Sequence, residues 1–483
     1  MFQTIKHIFS SEDLRKRIIY TLMMIAVFRV GAHIPAPFVD GEQVASFFRR
    51  MLGGGRGVFS MVNMFTGGAF KQMTIMALGI MPYISAQIIF QLLTVVWPKL
   101  EKIKKEGEAG QRKLEQWTRY GTIGLAFFQS IGLGLFMLSQ GFVSAELLDY
   151  GLWFFPGTFI FMLFCIVSIT TGTAVLMWIG ERITQNGVGN GISLLIALGI
   201  MASYPPGVVN GITAVRVEAL AKIWVPVIIA LGLLTTCVII LIQEGARKIP
   251  IQHARRTVGR RVQAAQTNYL PLKVNTAGVI PVIFSSAILM LPQTLFSFVG
   301  SEPGGMGGLA AWFSPITPYN LYDAMSLERE SIFLLLKTVN LYTFLYVVIT
   351  AFFCFFYTAV QMNPVDIADN LKRVGAYVPG IRPGKATADY IDMVLTRITT
   401  VGAIFLVGVA LIPQILANAF EIPFGVAEFA GGTGLIIVVG VVLDTMKRVE
   451  SHLLMHHYEG FSVRRSAAPG LGGGGKRWGG QRK

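Results

Sequence analysis

The chain has 483 residues, of which 53% are hydrophobic and 14% are charged, and its formal net charge is +15 at pH 7. Soluble domains contain about 25% charged residues, so this composition excludes an ordinary soluble domain and indicates a membrane protein. A bilayer core about 30 Å thick requires about 20 apolar residues in a helix that rises about 1.5 Å per residue. On that criterion we predict ten membrane spans, at residues 18–35, 73–97, 120–142, 152–179, 187–205, 223–243, 276–299, 338–361, 398–416 and 426–443.

The basic residues alternate from one connection to the next. Of the 41 Lys and Arg residues, 32 lie in the N-terminal segment, the tail and the connections 98–119, 180–186, 244–275 and 362–397. The interleaved connections carry 8, and Arg29 lies inside the first span. Because Lys and Arg are retained on the cytoplasmic side during insertion, we predict a multi-pass protein with both termini in the cytoplasm.

Ten spans divide into two sets of five. The first half comprises residues 1–221, the second comprises 222–448, and a cytoplasmic tail follows at 449–483. An odd number of spans per half requires any structural repeat to be inverted, with its pseudo-twofold axis in the membrane plane. From about residue 460 the tail is rich in Gly and basic residues, and we predict that it is disordered.

Residues 57–72 interrupt the simple pattern of spans and connections. The segment is fairly apolar, but it is too short to cross a bilayer and contains Gly67 and Gly68. Runs of this length are usually re-entrant or interfacial. Irregular backbone at membrane depth requires surrounding protein or a water-filled cavity. The residues alone leave two alternatives open, a short helix inside a cavity on the outer side and a helix lying on the surface.

Few ionisable groups lie within the predicted spans. Arg29 is close enough to the outer end of its span to snorkel. Ion-coupled transporters commonly place acidic or His residues at mid-membrane, so their scarcity argues against a pump or symporter. The three cysteines, Cys165, Cys237 and Cys354, lie in predicted spans and indicate no disulfide framework. No nucleotide-binding loop, nucleophile elbow or metal-ligand spacing is present, so the sequence offers no candidate for catalysis, a metal or a cofactor.

Two cytoplasmic connections are long and basic. The connection 244–275 contains Arg255, Arg256, Arg260 and Arg261 within seven residues. In 362–397, the sequence VPGIRPG brackets Arg382 with Pro and Gly, which predicts a stiff turn with this arginine at its tip. Basic loops commonly serve only orientation or anionic lipid binding. A rigid arginine on a tip also suits docking onto carboxylates or nucleic-acid phosphates.

Several long motifs identify a family resemblance. The segments are NMFTGGAFKQMTIMALGIMPYISAQIIFQLLTVVWPKL, KKEGEAGQRKLEQWTRYGT, ERITQNGVGNGISLLI, ARRTVGRRVQAAQTNYLPLKVNTAGVIPVIF and ADNLKRVGAYVPGIRPGKATADYID. Together they closely resemble the bacterial SecY family, the central subunits of protein-translocation channels. The similarity extends from about residue 12 to residue 459. The chain differs from the family pattern in a longer loop near 300–330 and in the Gly-rich basic tail.

The resemblance implies an all-α channel of two inverted five-helix halves, closed at its waist by a ring of aliphatic side chains. By position in the matching motifs, the ring would comprise Ile80, Ile84, Ile196, Ile280, Ile283 and Ile437. A translocating polypeptide carries every kind of side chain, so a polar filter would fail. Bulky apolar side chains can move aside for the polypeptide, and at rest they exclude water and ions by dewetting. For any single isoleucine, packing against lipid or core is the commoner role, and only the motifs single out these six.

The resemblance also assigns roles to the remaining segments. Residues 57–72 would form the plug, a short re-entrant helix that includes Phe59, Met61, Asn63, Phe65, Gly67 and Gly68. The second and seventh spans would form the lateral gate, with Gln91 and Asn275 as polar groups at their interface. Arg255, Arg256, Arg260, Arg261 and Arg382 would belong to the docking surface for the ribosome and for the ATPase SecA.

The implied function is translocation of unfolded secretory polypeptides across the bacterial inner membrane, with lateral release of membrane segments into lipid. The implied partners are SecE, SecG, SecA, ribosomal RNA phosphates, signal sequences, nascent chains and lipids. The chain is not expected to be an enzyme, because its partners would supply the energy. A secondary transporter with inverted repeats is the alternative, and an intramembrane enzyme would need a buried catalytic set that the sequence lacks.

Overall fold

The structure is a computed structural model that describes residues 12–52, 58–144, 156–217, 221–253, 257–258, 261–262, 267–299, 341–420 and 422–466. The helices up to residue 216 are α1 Glu12–Gly31, α2 Gly41–Leu52, α3 Val58–Phe65, α4 Met81–Val96, α5 Pro98–Lys105, α6 Glu108–Ser139, α7 Gly157–Asn186 and α8 Gly191–Arg216. Those that follow are α9 Trp224–Glu244, α10 Ile280–Val299, α11 Leu341–Gln361, α12 Pro364–Val374, α13 Lys385–Phe420, α14 Phe424–Ala427 and α15 Thr433–Ser466, with a 3₁₀ helix at Glu428–Ala430.

Each predicted apolar stretch overlaps one of these helices. Within the described ranges, six helices are long and apolar enough to cross a membrane: α6, α7, α8, α9, α13 and the continuous stretch Leu341–Val374. Two bent pairs raise that number to eight, because α4 meets α5 at 100° and the Phe424–Ala430 segment meets α15 at 41°. The predicted class, an all-α membrane protein, is confirmed, and the count of ten spans stays a prediction.

Several helix boundaries differ from the predicted stretches. The stretch 73–97 is helical only from Met81, because residues 66–80 form a series of turns. Helix α5 turns away from α4 at Trp97, whose extended backbone precedes Pro98. Helix α15 continues to Ser466, beyond the predicted start of the disordered tail at about 460. The first proline after this span is Pro469, so no proline interrupts the helix before that point.

Helices pack in the same order in each half. Helix α4 packs on α6, α6 on α7, and α7 on α8. In the second half α10 packs on α11, α11 on α13, and α13 on α15. The two sets meet where α10 contacts α4 and α6, and where α8 contacts α15. One hydrophobic cluster, with members from α1 to α15, joins them, and the division into two five-helix halves stays a prediction.

A small sheet lies outside the helical bundle, and the sequence patterns did not predict it. Strand β1 is Ala246–His253, β2 is Thr257–Val258, β3 is Arg261–Val262, β4 is Thr267–Lys273 and β5 is Ala376–Tyr377. Strand β1 pairs antiparallel with β4 in the register Ile249↔Leu270. Its end pairs with β5, which gives a three-stranded sheet in the order β4-β1-β5, and β2 and β3 pair with each other in a separate two-stranded sheet. The two long basic connections are therefore joined through backbone hydrogen bonds.

The turns at 66–80 are fixed against the helices that surround them. Met73 accepts a backbone hydrogen bond from Ala36 at 2.9 Å, and Ile75 donates one to Ile34 at 3.0 Å. The carbonyl of Ile75 lies directly against Gly172 of α7, where any Cβ would collide with it. Gly172 is required for this close approach of two backbones.

We predict that Gly172→Ala destabilises the protein by about 1–3 kcal/mol, because the added methyl overpacks the contact with the backbone at Ile75. The measurement is thermal unfolding of the purified protein in detergent. Gly124→Ala is the matched control, since a Cβ at Gly124 of α6 would meet nothing within 4 Å. Equal unfolding temperatures for the two variants would show that the contact between Gly172 and Ile75 does not require glycine.

Candidate functional site

The six predicted ring isoleucines lie on four helices, two from each half of the chain. Ile80 caps the N-terminus of α4, and Ile84 lies in its first turn. The others lie on α8, α10 and α15. Five of the six are buried, with exposed fractions from 0% for Ile437 to 5% for Ile80, and all five belong to one hydrophobic cluster. Ile280 is half-buried and packs against that cluster.

Helix α3 and the turn that follows it lie inside the protein. Helix α3 contacts α8 and α10, one helix from each half. Val62, Met64, Phe65 and Thr66 are each no more than 6% exposed. Of the predicted plug residues, Asn63 and Gly68 are half-buried, Phe65 and Gly67 are buried, and the side chains of Phe59 and Met61 lie outside the described part. This burial favours the segment inside the protein over the surface-lying helix.

The chain leaves α3 through a tightly bonded turn. Gly67 and Gly68 have φ values of 68° and 93°, which only glycine adopts without strain. The backbone nitrogen of Gly68 donates to the carbonyl of Asn63 at 3.0 Å. The side-chain carbonyl of Asn63 accepts a hydrogen bond from the backbone nitrogen of Lys71 at 3.0 Å. The Thr66 hydroxyl accepts one from the backbone nitrogen of Phe70 at 3.2 Å. These bonds satisfy several polar groups of the turn from within, as a site away from water requires.

Arg29 does not snorkel as its position predicts. Its Nη1 donates to the carbonyl of Gly67 at 3.1 Å, and its Nη2 donates to the carbonyl of Leu198 at 3.1 Å. One side chain thus joins α1, the turn after α3 and the middle of α8. Sequence reasoning missed this role. An arginine within an apolar span was the available signal, because such a group needs a partner.

The predicted lateral gate lies where α4 contacts α10. Gln91 is half-buried on α4, and Asn275 is 7% exposed in the turn before α10. The Asn275 amide donates to the carbonyl of Gly278 at 2.9 Å, within its own turn. The structure brings the two helices together, and a hydrogen bond between these two side chains stays a prediction.

The basic docking residues are only partly described. Arg255, Arg256 and Arg260 lie outside the described residues, and Arg261 lies in β3 with its side chain outside them. Arg382 is exposed on a turn between Gly380 and Gly384, whose φ values are 81° and 103°. The buried Thr387 hydroxyl donates to the carbonyl of Arg382 at 2.9 Å. This bond fixes the tip against the start of α13.

Beneath this turn, a separate hydrophobic cluster joins the two basic connections. Its buried members are Ile249, Leu272, Val378, Ile391, Val394 and Leu395. They come from β1, β4, α13 and the residue after β5. The cluster and the sheet therefore hold the base of the 244–275 connection and the Arg382 turn in one body. Within the described residues, no group of three or more His, Cys, Asp or Glu side chains could hold a metal ion.

Comparison with known proteins identifies close relatives. A family model described as SecY matches residues 74–446. The chain is 43% identical over 471 residues to the protein translocase subunit SecY of Pseudomonas aeruginosa, covering 96% of each chain. It is 42% identical over 447 residues to the subunit of that name from Escherichia coli K12, covering 92% of this chain and 93% of the relative.

Solved structures share the fold. One described as a protein-conducting channel aligns with a TM-score of 0.59 at 16% identity, covering 90% of this chain and 92% of that chain. A second structure concerns the plug domain of SecY, which stabilises the closed state and maintains a membrane seal. It aligns with a TM-score of 0.58 at 17% identity, covering 90% of this chain and 92% of that chain. Sec61 from a canine ribosome-channel complex aligns with a TM-score of 0.56 at 16% identity, with the same coverage of the two chains. These identities support the fold alone.

We predict that Leu272→Ala destabilises the cluster beneath the Arg382 turn by about 2–5 kcal/mol, because it leaves a cavity where the side chain is fully buried. The expected result is faster proteolysis within 246–273, measured by limited digestion in detergent. Tyr269→Ala, on the same strand but 60% exposed, is the control. Equal cleavage rates in the two variants would show that this cluster does not stabilise the sheet.

Proposed function

The chain belongs to the SecY family and is a protein-conducting translocation channel, and we propose that the six isoleucines form the seal at the channel waist. The observation that supports this proposal is that five of them are buried in one hydrophobic cluster with members from both halves, and the sixth packs against it. A seal of this kind must close on itself at rest and open around any side chain. Apolar side chains from separate helices can do both, because they exclude water without specific bonds.

Helix α3 and its turn are proposed to be the plug. Their burial against α8 and α10 places them beside the helices that carry Ile196 and Ile283. A related structure assigns closed-state stabilisation and a membrane seal to the plug domain of SecY. The contacts of α3 with both halves support the same role here, because separating the halves would remove those contacts.

The contact between α4 and α10 is proposed to be the lateral gate. It is one of the places where the two halves meet, and α8 with α15 forms another. If the α4–α10 contact opened while the α8–α15 contact acted as a hinge, the two halves would part and expose the channel interior to lipid. Interhelical hydrogen bonds in membranes contribute about 0.6–2 kcal/mol, so Gln91 and Asn275 could yield to an inserting apolar helix.

The cytoplasmic body formed by β1, β4, β5 and the Arg382 turn is proposed to dock SecA and the ribosome. The exposed Arg382 on a fixed tip supports this role, and a related channel forms a complex with the ribosome. SecE and SecG are proposed as subunits, and signal sequences, nascent chains and lipids as the molecules that the channel meets. The chain is a multi-pass membrane protein. We place it in the bacterial inner membrane with both termini in the cytoplasm.

We predict that a photo-crosslinker at Ile196 captures a secretory chain arrested in translocation. Ile196 is 2% exposed within the cluster, so only a polypeptide that opens the waist would reach it. The control is a crosslinker at Val209, which is 58% exposed on the same helix. Crosslinks at Val209 without any at Ile196 would show that the translocation path does not pass through the proposed waist.

We predict that the double change Arg260→Glu and Arg261→Glu abolishes most ribosome affinity at low salt. Contacts with phosphates depend steeply on salt, and the slope should fall by about one for each arginine lost. Binding is measured by cosedimentation across a salt series. The matched control reverses the charges of two exposed basic residues on the proposed outer side, Arg216 at the end of α8 and Lys222 just before α9. Unchanged affinity in the first variant would exclude this pair from docking.

A further inference from the structure

Arg29 joins three segments, and its bond to the turn after α3 is the one that a moving α3 would strain. Its guanidinium donates to the carbonyl of Gly67, 38 residues away in sequence, and to that of Leu198, 169 residues away. Leu198 follows the ring residue Ile196 by two positions on α8. Both acceptors are backbone carbonyls, and within the described residues Arg29 forms no ion pair with a carboxylate. The charge of Arg29 is therefore directed at the channel backbone.

The carbonyl of Gly67 belongs to the peptide between two left-handed glycines. Rotating α3 away from α8 would change ψ of Gly67 and φ of Gly68, which turns this peptide and its oxygen. The residues that follow are fixed, because Met73 and Ile75 bond to the chain at 34–36 and Ile75 packs on Gly172. The Gly67–Gly68 peptide is thus the place where a moving α3 would bend.

The backbone of this turn also packs directly on α8. A Cβ at Gly67 would lie 3.0 Å from the Cα of Gly199, and a Cβ at Gly199 would lie 3.0 Å from the carbonyl oxygen of Phe65. Only two glycines allow this approach. It brings the Gly67 oxygen within reach of Arg29. The oxygen lies beyond the C-terminal end of α3, where the helix dipole favours a positive charge.

We propose that Arg29 is a positioning residue that latches the hinge peptide of the plug in the closed state, so that opening requires its release from Gly67. This inference rests on the proposed role of α3 as the plug. It assigns the resting seal to two contacts in addition to the isoleucine ring. One is the charge-assisted bond from Arg29, and the other is the glycine contact between the turn and α8.

The test compares resting ion conductance of the channel, purified from membranes with its partner subunits and placed in planar bilayers. Arg29→Gln should raise the resting open probability by roughly tenfold, the effect of losing a hydrogen bond to a charged group. Arg29→Lys keeps the charge but lacks the planar fork, and it should give an intermediate value. Arg15→Gln is the control, because it removes the same charge from an exposed position on the same helix.

A second variant reaches the same hinge without touching Arg29. In Gly199→Ala the new methyl should push the turn from α8 and raise the resting conductance as well. Gly211→Ala is its control on the same helix, since the nearest atom to a Cβ there is 3.4 Å away, an ordinary contact. This pair keeps the test valid if Arg29→Gln lowers the yield of folded protein.

Movement of the plug itself supplies a readout that a purely structural role would not change. Val62 on α3 is 6% exposed, so a Val62→Cys thiol should react slowly with a maleimide added from the outer side. Arg29→Gln should speed this labelling by about the same factor as the conductance. The exposed Cys237 is replaced by Ser in all samples, and Cys165 and Cys354 are buried.

The outcomes separate the latch from the channel function. If the unsubstituted complex translocates a secretory protein and Arg29→Gln matches it in both conductance and labelling, the latch is wrong and the channel assignment stands. If conductance rises without faster labelling, Arg29 supports the waist rather than the plug, and the latch is again wrong. If the unsubstituted complex translocates no substrate, the proposed function itself fails.

Discussion

The structure depends on one constraint: irregular backbone at membrane depth must have all its polar groups satisfied by protein. Residues 66–80 are irregular and largely buried among the helices. Asn63 and Thr66 accept hydrogen bonds from within the turn, and the 34–36 segment pairs with Met73 and Ile75. Arg29 donates one hydrogen bond to the carbonyl of Gly67. A segment bonded in this way can sit in the centre of the bundle without forming a span.

Glycine contacts allow that segment to fit. Gly172 admits the carbonyl of Ile75 against α7, and Gly199 admits the turn after α3 against α8. Such contacts hold two backbones together by dispersion and geometry, with few bonds to break. The hydrophobic cluster that includes five of the six isoleucines has the same property, because apolar packing has no directional bonds. Glycine contacts and apolar packing together hold the core helices against one another with little directional bonding.

The sheet has a core of its own, separate from the main helical cluster. Ile249, Leu272 and Ile391 are buried in it, and burial of apolar side chains from water is driven by the hydrophobic effect. The sheet and this cluster link two connections that are separated in sequence by α10 and α11. The connection 244–275 lies between α9 and α10, and the Arg382 turn precedes α13, so the sheet and the cluster join the ends of all three helices.

The sequence by itself determined the membrane class, the approximate positions of the apolar helices, the turn at Arg382 and the family resemblance. These features depend on local hydropathy, charge and turn chemistry, which neighbouring residues define. Only the tertiary structure decided that α3 is buried, that β5 joins β1, and that Arg29 bonds to Gly67 and Leu198. Such contacts join residues far apart in the chain, so they depend on how the helices pack rather than on any local pattern.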